Sequence, residues 1–179
     1  MAGDTSTHKK VVIHRFEKAI IKGFVNLHTY LGPSSLELLD TEGHLLTLPL
    51  EEVKGVYFVR DFEGDPPRPE RRVFHSRPRL TGLWIRMIFK DSEIMEGLIS
   101  KNLMEMKPQG FLVTPPDFSS NSVRVYIPRS ALSRLEVLGV ISNGTARRTA
   151  VRAGRGPGKP PDAAQIGLFS SLESSETKG

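Results

Sequence analysis

Residues 11–25 ("VVIHRFEKAIIKGFV") and 84–99 ("WIRMIFKDSEIMEGLI") repeat one order of apolar and glycine positions, and this constrains the fold more than any other feature. Phe16 aligns with Phe89. One extra residue in the second turn then brings Ile20 onto Ile94, Ile21 onto Met95, Gly23 onto Gly97 and Phe24 onto Leu98. Further along, "SLELLD" (35–40) aligns with "GFLVTP" (110–115), and "LPLEEVKGVYFV" (48–59) aligns without a gap with "IPRSALSRLEVL" (127–138). The last block sets Pro49 on Pro128, Val53 on Leu132, Val56 on Leu135 and Phe58 on Val137. The blocks keep the same order in both copies, which points to a duplicated unit.

Each unit reads as five short strands, because apolar residues alternate with polar ones, β-branched and aromatic residues are frequent, and turn residues lie between. "EK" and "KDSE" are tight turns between the first two strands of each unit. Gly23 and Gly97 fall inside strands, where a side chain would crowd a neighbouring backbone at a bulge or bend. Pro49 and Pro128 open short helical turns that lead into the last strand, since the fixed φ of proline suits that position. Small units bury little surface alone. The two copies are therefore expected to pack on each other, by sharing a sheet edge or within one larger barrel or sandwich.

This succession of strand, bent strand, two strands, helical turn and strand resembles the SH3-like and Sm-like small β-barrels over residues 10–60 and 83–139. The resemblance implies an all-β fold of two tandem five-stranded barrels. The corresponding organisation is a first barrel at 10–60, a connector at 61–82, a second barrel at 83–141 and a disordered C-terminal tail at 142–179. Sm-like RNA binders carry an aspartate–aromatic–asparagine set in the loop after the second strand. Neither "NLHTYLGPSS" (26–35) nor "SKNLMEMKPQ" (100–109) matches it. With its "VRDFEGD" join, the chain also resembles an uncharacterised bacterial domain family of two related halves, which implies no activity.

The net charge of +5 raises the question of nucleic acid, but the excess is unevenly spread. Residues 1–59 hold six basic and seven acidic side chains, and residues 81–141 hold seven and six. The connector segment 60–80 holds six and four, and the tail 142–179 holds six and three. The predicted barrels are near neutral, so any general affinity for nucleic acid rests on the tail residues Arg147, Arg148, Arg152, Arg155 and Lys159. The chain has no cysteine, which excludes disulfides, thiolate metal sites and thiol nucleophiles. No stretch has the length of a membrane span and the N-terminus lacks the apolar run of a secretory signal. The expectation is a cytoplasmic protein without membrane contact.

Catalytic signatures are absent from the sequence. None of the five histidines stands in a metal-binding pattern. "GRGPGK" (154–159) lacks the spacing of a phosphate loop and is followed by Pro160. Asp61, Glu63 and Asp65 in "DFEGD" alternate as oxygen ligands for a hard cation would, but neighbouring arginines can neutralise them directly. The connector "RPERRVFHSR" (68–77) resembles the arginine-rich first half of the PilZ motif. That resemblance implies a cyclic-dinucleotide site with Arg71, Arg72 and Arg77 as candidate ligand-binding residues, since a guanidinium fork grips phosphate and stacks on bases. The barrel half of the motif is missing. Pro66, Pro67, Pro69 and Pro78 instead favour an extended spacer.

The tail is rich in Gly, Pro, Ser, Ala and charge and has too little apolar surface to offset chain entropy. One stretch interrupts it. Gln165-Ile166-Gly167-Leu168-Phe169 resembles the pentapeptide by which bacterial replication and repair proteins dock on the DNA sliding clamp. The resemblance makes Gln165, Ile166, Leu168 and Phe169 candidate partner-binding residues, with Leu168 and Phe169 as apolar anchors. Taken together, the sequence suggests a non-enzymatic binding or regulatory scaffold protein that needs no cofactor or metal and acts through a protein partner. The alternatives are a nucleic-acid-associated protein docked on the clamp and a PilZ-like cyclic-dinucleotide receptor.

Overall fold

A computed structural model describes residues 7–64, 71–102, 106–117 and 121–142. The first alternating stretch forms a hairpin of β1 (His8–Arg15) and β2 (Lys18–Asn26), followed by β3 (Ser35–Asp40), β4 (Leu45–Pro49) and β5 (Val53–Val59). The second stretch forms β6 (Gly82–Phe89) and β7 (Ile94–Ile99), then β8 (Gly110–Val113), β9 (Ser122–Pro128) and β10 (Leu132–Ile141). The fold is all-β, with no α-helix among the described residues. Both hairpin turns carry a non-glycine residue in the left-handed region, Glu17 at φ 54° and Ser92 at φ 66°. The turns after Pro49 and Pro128 are as predicted. The first is closed by Glu52 N–H donating to Pro49 O and Val53 N–H to Leu50 O, and the second is a 3-10 turn over Arg129–Ala131.

Gly23 and Gly97 sit where neighbouring strands come closest. A Cβ on Gly23 would lie 2.3 Å from Leu39 O, and one on Gly97 would lie 2.1 Å from Val113 Cγ1. Only glycine lets β3 cross β2 and β8 cross β7 at these points.

The strands do not close into two separate barrels. Seven of them form one sheet in the order β4-β3-β2-β1-β5-β9-β8, and three form another in the order β10-β6-β7. All the strand pairs are antiparallel. β7 and β8 touch through one bridge, where Leu98 N–H donates to Thr114 O at 3.0 Å and Thr114 N–H donates to Leu98 O at 2.8 Å. β9 completes its pairing on β5, so the two stretches share a sheet edge. The physical reason is the apolar character of both faces of these two strands. On β5, Val56 and Phe58 pack into one core with Val11, Ile13, Leu38 and Tyr126, while Tyr57 packs into the other. On β9, Tyr126 belongs to the first core, and Val125 and Ile127 to the second. An open edge on either strand would expose backbone donors and acceptors together with both apolar faces.

Two details of the sequence alignment need correction. Phe16 does not take the place of Phe89. Phe16 N–H donates to Glu52 O, and in the aligned turn it is Lys90 N–H that donates to Ala131 O. The strand registers agree with this shift, since Val11 lies opposite Gly23 and Ile85 opposite Gly97. Both rings nevertheless pack on the second core, Phe89 buried and Phe16 half-buried. The other detail is Leu135, which is exposed although Val56 is fully buried. β9 covers β5, whereas β10 pairs with β6 alone.

Candidate ligand-binding cleft

The joint between β5 and β9 leaves a cleft of about 880 Å³, closed by the ends of β1, β7 and β8 and by the segment around Leu80. Aromatic rings form its floor. Tyr30 stands edge-on to Phe58 at 6.0 Å and to Tyr126 at 6.1 Å, and Phe111 lines the same space. Four cationic side chains stand around it, Lys9, Lys10, Lys107 and Arg124, and no Asp, Glu or His is among the described residues that line it. Lys10 is partly engaged, 3.7 Å from Asp61 and over the ring of Phe62. Arg124 and Lys107 are exposed.

Tyr126 places a phenol at the bottom of the cleft. Its hydroxyl is buried and makes no hydrogen bond among the described residues. Gly110 makes room for it, because a Cβ there would stand 2.7 Å from the hydroxyl oxygen. Burial, with a further push from neighbouring Tyr30, raises the Tyr126 phenol above its ordinary range, and burial raises Tyr30 to about 12. Both phenols remain neutral and able to donate at physiological pH. A buried donor left without a partner costs about 1–3 kcal/mol.

The arginines singled out in the connector lie elsewhere. Arg72 forms an ion pair with Glu93, and its carbonyl accepts from Glu96 N–H at 2.6 Å. Arg71 and Arg77 are exposed, and none of the three lines the cleft. What holds the connector is Glu96 on β7, only 3% exposed. Its carboxylate accepts from Phe74 N–H at 3.1 Å, from Trp84 Nε1 at 3.1 Å and from Arg86 Nε and Nη2 at 3.1 and 2.9 Å. Phe74 then stands edge-on to Trp84 at 6.0 Å. A buried carboxylate with four donors is satisfied and serves as a clamp.

Another hub crosses the joint. Lys54 on β5 bonds Asp91 and Glu93 in the β6–β7 turn and lies over the rings of Phe16 and Phe89. Burial pulls its ammonium down, but the bonds and charges of the two carboxylates outweigh this and raise it.

Of the acidic triplet, Asp61 is tied to Asn121, whose side chain accepts from Arg60 and Asp61 N–H and donates to Asp61 O. Asp65 lies outside the described residues. Asp40, Glu42 and His44 bring ligand atoms within 4.8 Å of one another on the exposed β3–β4 turn. Asp40 already closes that turn by accepting from the N–H groups of Glu42 and His44. Gln165, Ile166, Leu168 and Phe169, and the basic tail residues, also lie outside the described residues. Among the described residues no helix is long and apolar enough to cross a membrane.

The cleft escaped the sequence reading because its parts come from distant segments. Arg124 and Tyr126 alternate along one strand, but no local signal says that β5 lies beside them.

The model of a family of unknown function, DUF6982, matches residues 7–139. The chain belongs to DUF6982. No curated protein matches it, and no solved structure does. The DUF6982 match takes in every described residue that lines the cleft and stops before the segment that holds Gln165–Phe169. The cleft therefore lies within the matched region, and the pentapeptide lies outside it.

Proposed function

We propose that the protein is a non-enzymatic binding module whose ligand is an anion with a planar or apolar body, seated in the cleft between β5 and β9. The observation that carries this reading is the four cations around an aromatic floor, with no carboxylate among the described lining residues. Rings stack on a planar group and the cations hold its charge. Two halves of one SH3-like plan account for the cleft's position. In support, β5-β1-β2-β3-β4 are neighbours in that order, and β10-β6-β7 continue through the Leu98–Thr114 bridge to β8 and β9.

The test uses anilinonaphthalenesulfonate, an aromatic anion, titrated by fluorescence into the full chain. Replacing Arg124 and Lys107 by Glu should weaken binding by about tenfold or more, given that hydrogen bonds to charged groups contribute about 1.5–3 kcal/mol. Equal affinity for both proteins ends the proposal. Calorimetry with cyclic dinucleotides on the same variant, and on one with Arg71→Ala, Arg72→Ala and Arg77→Ala, separates the cleft from the connector. Loss of heat only in the connector variant would favour the PilZ-like alternative.

A second reading rests on the pentapeptide. Gln165, Ile166, Leu168 and Phe169 suit docking on a DNA sliding clamp from a tethered tail. A peptide of residues 160–175 should bind the clamp, and Leu168→Ala with Phe169→Ala should abolish the signal. Equal or absent signals would remove this reading.

A further inference from the structure

β4 and β10 are left as outer edges. β4 ends the seven-stranded sheet, and β10 ends the three-stranded one. The other two terminal strands, β7 and β8, meet each other through the Leu98–Thr114 bridge. An exposed strand edge is normally blunted by charge, by an early proline or by a short length. β4 ("LLTLP") carries no charge, and its proline stands only at its end. β10 is the longest strand at 10 residues; its two charges, Arg134 and Glu136, pair with each other at 3.0 Å, and it exposes Leu135, Val137, Leu138 and Val140.

The joint inside the chain shows what such edges accept. There Val56 lies opposite Tyr126, Tyr57 opposite Val125 and Phe58 opposite Arg124. In the repeat, β5 aligns with β10 and β4 with β9. Carrying the joint over puts Leu135 opposite Thr47, Glu136 opposite Leu46 and Val137 opposite Leu45. Leu45 and Val137 are 69% and 62% exposed, the two most exposed large hydrophobic residues among those described. The register of the internal joint therefore pairs the two side chains with most to gain from burial.

We propose that the protein associates with further copies of itself, β10 of one copy pairing antiparallel with β4 of the next. This rests on the repeat reading given above. The contact is head-to-tail, so an open series keeps one free β4 at one end and one free β10 at the other until it closes on itself. The ladder covers the part of β10 before Leu138, where its register on β6 shifts. Association continues the edge-sharing already made by β5 and β9 and covers both open edges with the same chemistry.

The chain has no cysteine, so engineered pairs read contacts without background. Directly opposed residues in an antiparallel pair have Cα atoms about 4.5–5.5 Å apart, within the reach of a disulfide. Phe58→Cys with Arg124→Cys in one chain should oxidise to an intrachain bridge. Its failure would show that the shared joint itself is wrong, and the proposal would fall with it. Where that bridge forms, Leu45→Cys and Val137→Cys chains are mixed and oxidised. Cross-linked dimers should form in the mixture and not from either variant alone. Sedimentation of the wild-type chain should show mass rising with concentration. Leu45→Lys or Val137→Asp alone should return it to the monomer, and mixing the two variants should restore association through the opposed charges. A wild-type monomer at all concentrations, with no cross-link in the mixture, overturns the proposal.

Discussion

Val56 on β5 is fully buried, whereas Leu135, its aligned residue on β10, is 42% exposed. Both strands follow a proline-led turn, and both pair antiparallel with the first strand of their own hairpin, β5 with β1 and β10 with β6. They differ in what lies on the other side. β5 has β9 beside it, and its two faces meet two cores. β10 has no neighbour on that side among the described strands. The same apolar pattern thus yields core in one place and open surface in the other. Burial here is a property of the pair of strands, and a strand's own composition does not decide it.

The sharpest way to break this comparison is a charge at each of the aligned positions. Val56→Asp would place an unpaired carboxylate in a closed core and should cost about 4 kcal/mol or more. Leu135→Asp lies on the open edge and should change stability by about 0.5 kcal/mol or less in the dilute monomer. Urea unfolding of both variants measures the contrast. Similar losses would mean that β10 is covered as β5 is.

The outer face of β6 and β7 offers a smaller effect. The connector covers it through Glu96, in contrast to uncovered β10. Glu96→Ala removes the acceptor for Phe74 N–H, Trp84 and Arg86, and should cost about 2–3 kcal/mol because it leaves donors unmet. Trp84 is the only tryptophan, so its emission reports directly on the clamp. A red shift is expected, with faster proteolysis between residues 71 and 80. Unchanged emission would place the hold on the connector elsewhere.

A smaller effect again belongs to Lys54, which ties β5 to the β6–β7 turn. Burial pushes the Asp91 carboxyl up, but the bond from Lys54, the Glu93 N–H and the Lys54 charge outweigh this and hold it below 3.8. A lowered carboxyl stabilises the fold above its ordinary value, and that share is lost as pH falls through the folded value. Lys54 is raised above 10.5, so its share is present below that value and is lost as pH rises through the folded one. Because Asp91 is 42% exposed, its share is about 1 kcal/mol or less. Lys54→Met should flatten both the acid and the alkaline limbs of stability against pH. Limbs as steep as in the wild type would show that the tie contributes nothing.

The smallest effect concerns the cleft at the joint. Tyr126→Phe deletes a hydroxyl without a hydrogen-bond partner among the described residues and should leave stability unchanged or raise it by about 1 kcal/mol. A loss of stability would mean that the hydroxyl already has a partner.

The sequence by itself determined the local elements. Alternation placed the strands, and their ends follow "EK", "KDSE" and the two prolines. Gly23 and Gly97 were legible as close crossings, because a Cβ excluded by a neighbour leaves glycine as the residue that fits. The anchor that Glu96 gives Phe74 was not legible, since Glu96 reads as an ordinary polar residue in "EIMEG". The alignment of the first strands of the two hairpins was misread by one residue, because two phenylalanines that pack on the same core invited a match that the backbone does not make. Only the tertiary structure decided that β9 pairs with β5 as well as β8, that a cleft with a cationic rim opens beside that joint, and that Leu135 stays exposed. Every strand edge presents the same backbone donors and acceptors, so the choice of partner is not written in any one strand. It is made by which pairing buries both apolar faces at once, and that depends on residues far apart in the chain.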